Sequence, residues 1–319
     1  MSRYGTVLAG LVLPWLISGA STGAVAGCRM ELVSHLPLTP AHSHVTVPVV
    51  LDGKTAQMIF DTGAYTTNIS LKAVQRLGLP PMRDEERDPH GKQGYLGWVG
   101  GIGGSRVATA VTAQTVDIGG LHGRNYNFIA SDTDFPEADG LLSIDLISKF
   151  DVDLDFVENQ IILYRAAGDC SAPAAFLSSP LYTIPLRAFG EDRRPRVNIV
   201  VNGQNVIAMI DTGASHTAIF RQTAERVGLT TPQTAPQPKQ FAGGVGPRRV
   251  SRTRQTAQSV AIGDLEFNNM PVDVLDDSSL GEVEMLLGAD FQRKVHLWIS
   301  YSSHSLIMQY PPTASKKPA

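Results

Sequence analysis

The chain has 319 residues, 43% of them hydrophobic and 18% charged, which is enough apolar material for a full core and a length that suits two domains better than one. A formal net charge of −3 and a pI near 6.2 exclude the broad cationic field that binding a nucleic-acid backbone requires. Arg248, Arg249, Arg252 and Arg254 read as a solvated strand face, because no aromatic residues interleave them to stack on bases.

At the N-terminus Arg3 precedes an apolar run over 7–17 and a small-residue stretch ending Ala24-Val25-Ala26-Gly27-Cys28. The pattern reads as an export signal over 1–27, and places the mature protein in the periplasm or cell envelope of a bacterium. The run is too short to span a bilayer, and no other segment approaches the roughly 18 apolar residues of a transmembrane helix. Val25-Ala26-Gly27-Cys28 also resembles a lipobox, which would anchor a lipid on Cys28, although a lipobox usually follows its apolar run directly and ten residues intervene here. The other cysteine is Cys170, and an even count in an oxidising compartment favours a Cys28–Cys170 disulfide over the lipid.

The rest of the chain is one unit written twice. Leu51-Asp52-Gly53 through Phe60-Asp61-Thr62-Gly63-Ala64 recurs 150 residues later as Val201-Asn202-Gly203 through Ile210-Asp211-Thr212-Gly213-Ala214, and Gly78-Leu79 recurs as Gly228-Leu229. Gly100-Gly101-Ile102-Gly103 answers to Gly243-Gly244-Val245-Gly246, Ile118-Gly119 to Ile262-Gly263, and Leu141-Leu142 with Asp145 to Leu286-Leu287 with Asp290. Within each unit, alternating apolar runs joined by Asp-Gly or Asn-Gly predict a β-hairpin. A short amphipathic helix follows over 70–77 and 221–227, stopped by Gly78 and Gly228. Each unit ends in strand-like segments, 150–156 with 161–164 and 295–301 with 306–310. The predicted fold is therefore all-β, two tandem lobes at 28–169 and 191–312 with a cleft between them. A Ser-, Ala- and Pro-rich linker lies over 170–190, and a frayed tail over 313–319.

Asp61 and Asp211 each close an apolar strand, where burying a charge is expensive. Two such carboxylates brought face to face cannot both ionise cheaply, so the pair holds one proton between them and offers a base beside an acid. That arrangement activates water against an amide carbonyl without metal or covalent intermediate. Gly63 and Gly213 are expected to let the backbone turn sharply beside the carboxylates. A single Asp-Thr-Gly is an ordinary strand-end turn. Two copies embedded in one long repeat are not.

The Asp-Thr-Gly-Ala segments at 61–64 and 211–214, the threonines Thr67 and Thr217 beyond them, and Leu286-Leu287-Gly288 together resemble the retropepsin-like aspartic proteases over roughly 45–165 and 195–310. The resemblance implies two acid-protease barrel lobes and a peptide or protein substrate cleaved within the chain without cofactor. It also implies Thr62 and Thr212 bracing the two active-site loops, and glycine-rich flaps over the substrate. The flap candidates are Gly100, Gly101 and Gly103 with Trp98, and Gly243, Gly244 and Gly246 with Phe241, whose glycines would admit close approach to an extended peptide. Both halves of the site lie in one chain, so a monomer is expected.

Three departures bear on this reading. Leu141-Leu142-Ser143 carries serine where the second lobe has Gly288, which brings the packing beneath the first loop into question. Tyr65-Thr66 and Ser215-His216 stand where retroviral enzymes carry acidic residues, so subsite chemistry does not transfer. His42-Ser43-His44 is the one metal-like pair and lacks convergent partners, so no metal site is expected. The rival readings are a peptide-binding or assembly module of the envelope without turnover, and lobes that pair between chains.

Overall fold

A computed structural model describes residues 28–39, 44–82, 97–135, 137–168, 170, 180–187, 190–229, 240–277 and 280–311. The expected export signal over 1–27, most of the expected linker and the expected tail lie outside these residues. Strand β1 (Arg29–Pro37) comes first. The first lobe follows with β2 (Thr46–Leu51), β3 (Lys54–Asp61), β4 (Asn68–Ser70), α1 (Leu71–Leu77), β5 (Gly97–Gly101), β6 (Gly104–Ile118), β7 (Leu121–Ser131), β8 (Gly140–Ser143) and α2 (Ile144–Ile147). Then come β9 (Asp151–Asp155), β10 (Gln160–Ala167) and β11 (Leu181–Pro185). The second lobe repeats the order with β12 (Arg196–Val201), β13 (Gln204–Ile210), β14 (Ala218–Phe220), α3 (Arg221–Arg226), β15 (Gln240–Ala242), β16 (Val250–Ile262), β17 (Leu265–Leu275), β18 (Met285–Leu287) and α4 (Ala289–Gln292). Two strands end it, β19 (His296–Ser300) and β20 (Ser305–Gln309).

Each lobe is a closed six-stranded barrel. In the first the hydrogen-bonded order is β2-β3-β8-β4-β7-β6, and a β2–β6 pairing closes the ring while β5 hangs from β6 as an extra edge; β12 to β18 repeat the pattern with β15 as the extra edge. The opening hairpins form because Asp52 and Gly53 (φ 48° and 77°) and Asn202 and Gly203 (φ 47° and 80°) supply the two left-handed residues of a turn whose twist matches the strands. Alternate residues of those strands, Val47, Val49 and Leu51, and Val197, Ile199 and Val201, are buried in the barrels. Helix α1 begins where the Ser70 hydroxyl accepts from the Ala73 amide and ends at left-handed Gly78.

The sequence assigned the closing strands of each unit to its own lobe and read 170–190 as linker. The structure differs. Strands β1, β10, β9, β19, β20 and β11 form a third sheet shared by the lobes, and β11 lies inside the predicted linker. The sheet's central strands β9, β19 and β20 are buried on both faces, so their hydrophobic pattern carries no record of which strand they pair with. The lobes join at β9–β19, with Leu297 opposite Leu154 and Ile299 opposite Val152. Buried His296 bonds Asp153 across this joint at 2.5 Å, and Trp298 stacks on Tyr164. Backbone hydrogen bonds across the joint fix how the lobes sit, and with them the distance between the two Asp-Thr-Gly loops.

Cys28 and Cys170 form a disulfide beside the β1–β10 pairing, where Arg29 stands opposite Ala167. Arg252 and Arg254, expected on a solvated face, are instead half-buried against the carboxylate of Asp273, at 2.5 and 2.7 Å. Among the described residues no helix is long and apolar enough to cross a membrane.

Candidate active site

Strand β3 runs parallel to β8 and β13 runs parallel to β18, which carries Asp61 and Asp211 out of the two barrels at matching positions. The loops that follow meet at the lobe junction. The Thr62 hydroxyl donates to the Ile210 carbonyl at 2.6 Å, and the Thr212 hydroxyl donates to the Phe60 carbonyl. Each hydroxyl also accepts from the other threonine's amide, Thr62 N to Thr212 Oγ1 at 3.0 Å and Thr212 N to Thr62 Oγ1 at 3.2 Å. Both threonines are fully buried, so these reciprocal bonds lock the loops together without competition from water.

Gly63 and Gly213 do something the sequence reasoning did not foresee. Neither has a left-handed backbone. A Cβ on Gly63 would stand 2.4 Å from the Asp211 carboxyl carbon, and one on Gly213 would stand 2.4 Å from that of Asp61. The glycines are clearance for the opposite carboxyl. Asp61 and Asp211, each 8% exposed, therefore each lie against the glycine that follows the other. Burial, and then the neighbouring Asp211, push Asp61 up to about 8. Burial also raises Asp211, against the opposing pull of the Ala214 and Gly213 amides and of Arg194. A pair in this state holds one proton through the neutral range.

A second shared motif holds each loop from below. The Asp145 carboxylate accepts from the Thr67 amide and hydroxyl (3.1 and 2.7 Å), and the Thr67 hydroxyl accepts from the Ser143 amide at 3.0 Å. In the second lobe Asp290 accepts from Thr217 amide and hydroxyl, both at 2.7 Å, and Gly288 N donates to Thr217 Oγ1 at 3.2 Å. Asp145 and Asp290 were visible in the sequence only as landmarks of the repeat. Ser143 keeps the backbone bond that Gly288 makes, so the substitution leaves this support in place. Its own hydroxyl is buried without a partner.

The two glycine-rich segments are hairpins of unequal build, β5–β6 with a tip at Ile102 and Gly103, and β15–β16 with a longer loop over 243–249. Their tips touch. Gly103 N donates to the Val245 carbonyl at 3.0 Å, and Arg248 N donates to the Gly103 carbonyl at 2.9 Å. A Cβ on Gly246 (φ 120°) would fall 2.2 Å from the Gly103 carbonyl carbon, so glycine here serves contact between the tips. Gly101, Gly103 and Gly244 lie at that same contact, whereas Gly100 and Gly243 are not crowded by it.

Each tip packs into the other lobe. Ile102 sits against the cluster of Met209, Phe220, Val250 and Leu286 with Ala214, and Val245 sits against Ile59, Phe135 and Leu141 with Ala64. Sequence reasoning passed over Ile102 and Val245, although an aliphatic residue inside a glycine run was the available sign. Trp98 and Phe241 are exposed. Trp98 lines a surface groove with Leu71, Val107 and Pro247, and Phe241 lies beneath Arg249.

Among the described residues no group of three His, Cys, Asp or Glu side chains stands as metal ligands would; His42 and Ser43 lie outside them. What the site offers is a pair of buried carboxyls with raised proton affinity, beside two hairpins whose tips pack into two apolar recesses. A family model described as aspartyl protease matches residues 47–146 and 197–291, more than half the chain and both copies of the loop. No curated protein matches the chain.

Proposed function

Because the chain belongs to the aspartyl protease family, we propose that it is a single-chain aspartic endopeptidase in which Asp61 and Asp211 together activate water. The observation that carries the proposal is the pair of buried carboxyls, one from each lobe, each seated in the clearance left by the glycine that follows the other. An extended peptide lies between the carboxyls and the flaps, displacing Ile102 and Val245 from the recesses that then take the side chains beside the scissile bond. The ionised carboxyl takes a proton from water as the oxygen adds to the amide carbonyl, and the protonated one gives its proton to the carbonyl oxygen. Return of a proton to the amide nitrogen breaks the C–N bond. Thr62 and Thr212 hold the carboxyls at this spacing, Ala64 and Ala214 wall the recesses, and the flap glycines let the roof open.

The disulfide and the apolar N-terminal run support an exported protein of the bacterial periplasm or envelope. The pairing of both lobes in one chain supports a monomer. Purified mature protein incubated with a diverse peptide mixture, with and without pepstatin, should yield pepstatin-sensitive cuts read by mass spectrometry, and Asp61→Asn and Asp211→Asn should yield none. Peptide retention with no cleavage at any pH from 4 to 8 would instead assign a binding module.

A further inference from the structure

The two carboxyls are chemically alike, and each accepts the amide of the glycine two places on, Gly63 N to Asp61 at 2.8 Å and Gly213 N to Asp211 at 2.9 Å, with the Ala214 amide donating to Asp211 as well at 3.1 Å. Their wider surroundings are not alike. In the antiparallel β12–β13 pair, Arg196 stands opposite Met209, and the Ile210 amide donates to the Pro195 carbonyl at 2.9 Å. One step further along this register sets Arg194 opposite Asp211. The side chain of Arg194 is buried (7% exposed) and doubly anchored. Its Nε and Nη2 donate to the two oxygens of Asp192 at 3.0 and 2.9 Å, Nη2 donates to the Tyr65 hydroxyl at 2.9 Å, and its guanidinium carbon lies 3.9 Å above the Tyr65 ring. Tyr65 follows Asp61 by four residues, so a second-lobe cation is fastened onto the first-lobe loop.

The matching places in the repeat hold a histidine and a serine in place of Arg194 and Tyr65. The Phe60 amide donates to the Val45 carbonyl at 2.8 Å, which sets His44 opposite Asp61, and His44 lines a recess with Leu38, Phe156 and Arg293. The counterpart of Tyr65 is Ser215, whose hydroxyl bonds the neighbouring His216 ring at 3.0 Å.

Asp192 does not cancel Arg194. Arg196 also reaches Asp192 at 3.3 Å and Glu282 at 2.6 Å, and Glu282 is shared in turn with Arg187 at 3.0 Å. Three guanidiniums thus face two carboxylates, and the cluster retains one positive charge beside Asp211. A guanidinium stays charged across the working range of any protease, so its field is permanent.

We infer that Arg194 makes the pair unequal, keeping Asp211 as the ionised member and the shared proton on Asp61. The inference rests on the dyad reading above and assigns its roles. Asp211 takes the proton from water while the water oxygen bonds the carbonyl carbon, and Asp61 passes its proton to the carbonyl oxygen. Asp211 then delivers its proton to the leaving nitrogen as the C–N bond breaks, and Asp61 recovers a proton from the diol. Arg194 touches no reacting atom in this scheme. It is a positioning residue, acting through its charge on Asp211, whose proton affinity it lowers.

The test is a carboxyl titration by carbon-13 NMR of aspartate-labelled full-length protein, wild type beside Arg194→Gln and Arg194→Lys, with pH–rate profiles on the same samples. In wild type Asp211 should ionise first. Arg194→Gln should raise the Asp211 transition by about one pH unit and carry the acid limb of kcat upward, and Arg194→Lys, which keeps the charge, should restore both. If Arg194→Gln fails to fold, the double variant Asp192→Asn, Arg194→Gln removes the paired charges together and should show the same upward movement. Transitions that stay where they are in whichever variant folds, even alongside a lower rate or melting temperature, would overturn the inference and leave Arg194 a structural clamp. The titration needs no turnover, so an inactive wild type would defeat the protease reading while still measuring the effect of Arg194.

Discussion

The first and second Asp-Thr-Gly loops share the braces between them and the supports beneath them, and differ in the side chains that follow. Braces between Thr62 and Thr212, clearance at Gly63 and Gly213, and the Thr67–Asp145 and Thr217–Asp290 supports are common to both. Tyr65 clamped by Arg194 stands against Ser215 bonded to His216, and Ser143 against Gly288. A two-fold contact must be made by both copies at once, so a change on one side breaks it for both. A contact made by one copy alone can diverge, and its divergence allows two identical carboxyls to take different parts.

The largest effect should come from breaking what is shared. Gly63→Ala and Gly213→Ala each drive a Cβ into the opposite carboxyl, whose backbone is pinned by the threonine braces. Each should lower kcat/KM by at least about a hundredfold, to a similar degree in both lobes, because a small displacement of reacting groups is enough for such a loss. Steady-state kinetics on one cleaved peptide checks this, and a tolerated alanine in either lobe breaks the symmetry argued for the pair.

Beneath the loops the lobes should respond differently. A Cβ at Gly288 would lie 2.5 Å from the His216 carbonyl carbon, so Gly288→Ala should destabilise by about 1–3 kcal/mol. Ser143→Gly removes a buried hydroxyl that has no partner, which offsets much of the roughly 0.5–1 kcal/mol of backbone entropy that glycine adds. Chemical denaturation should find it within about 1 kcal/mol of wild type. Equal losses in the two lobes would mean that the first loop has not adapted to its serine.

The pair also sets a slope of stability with pH. Asp61 holds its proton in the folded chain to about 8 but releases it near 3.8 when unfolded. Between these values the folded state binds more protons than the unfolded one. This contribution is fully present below pH 4 and is lost as pH rises toward 8. Buried Asp153 is shifted the same way, chiefly by burial. Melting temperatures from pH 4 to 9 should fall less steeply in Asp61→Asn than in wild type. Parallel curves would show that Asp61 does not carry the raised proton affinity.

The smallest effect expected is from Ala64→Ser and Ala214→Ser. A hydroxyl donating to an ionised carboxyl favours its charged form, so the alkaline limb should move down by about half a pH unit. The shift should be larger for Ala64→Ser, which lies beside the carboxyl that loses its proton on that limb. A larger shift at Ala214, or an upward one, would reverse the assignment of base and acid.

Much of this was legible in the chain itself because duplication writes the same constraint twice. Hairpins appeared through Asp52-Gly53 and Asn202-Gly203, helix stops through Gly78 and Gly228, and the carboxyl pair through Asp61 and Asp211. The shared sheet did not appear, since β9 and β19 look like any strands buried on both faces and their partners lie more than a hundred residues away. Arg194 was hidden for a related reason. Its meaning depends on a register that sets it opposite Asp211 and on Tyr65 arriving from the other lobe, neither of which spacing along one chain reveals. Gly63 and Gly213 are legible as turn residues but not as clearance for the opposite carboxyl, because a residue's local conformation can be read from sequence and the atom facing it cannot.

Non-additivity of the two carboxyls tests the central claim most directly. The account predicts that Asp61→Asn, Asp211→Asn and the double variant, all folded, have the same residual kcat/KM on a peptide the wild type cleaves, each at least about a thousandfold lower, because one shared proton needs both carboxyls. A single variant that keeps its rate within tenfold of wild type, or a double variant whose loss is the product of the two single losses, would contradict it.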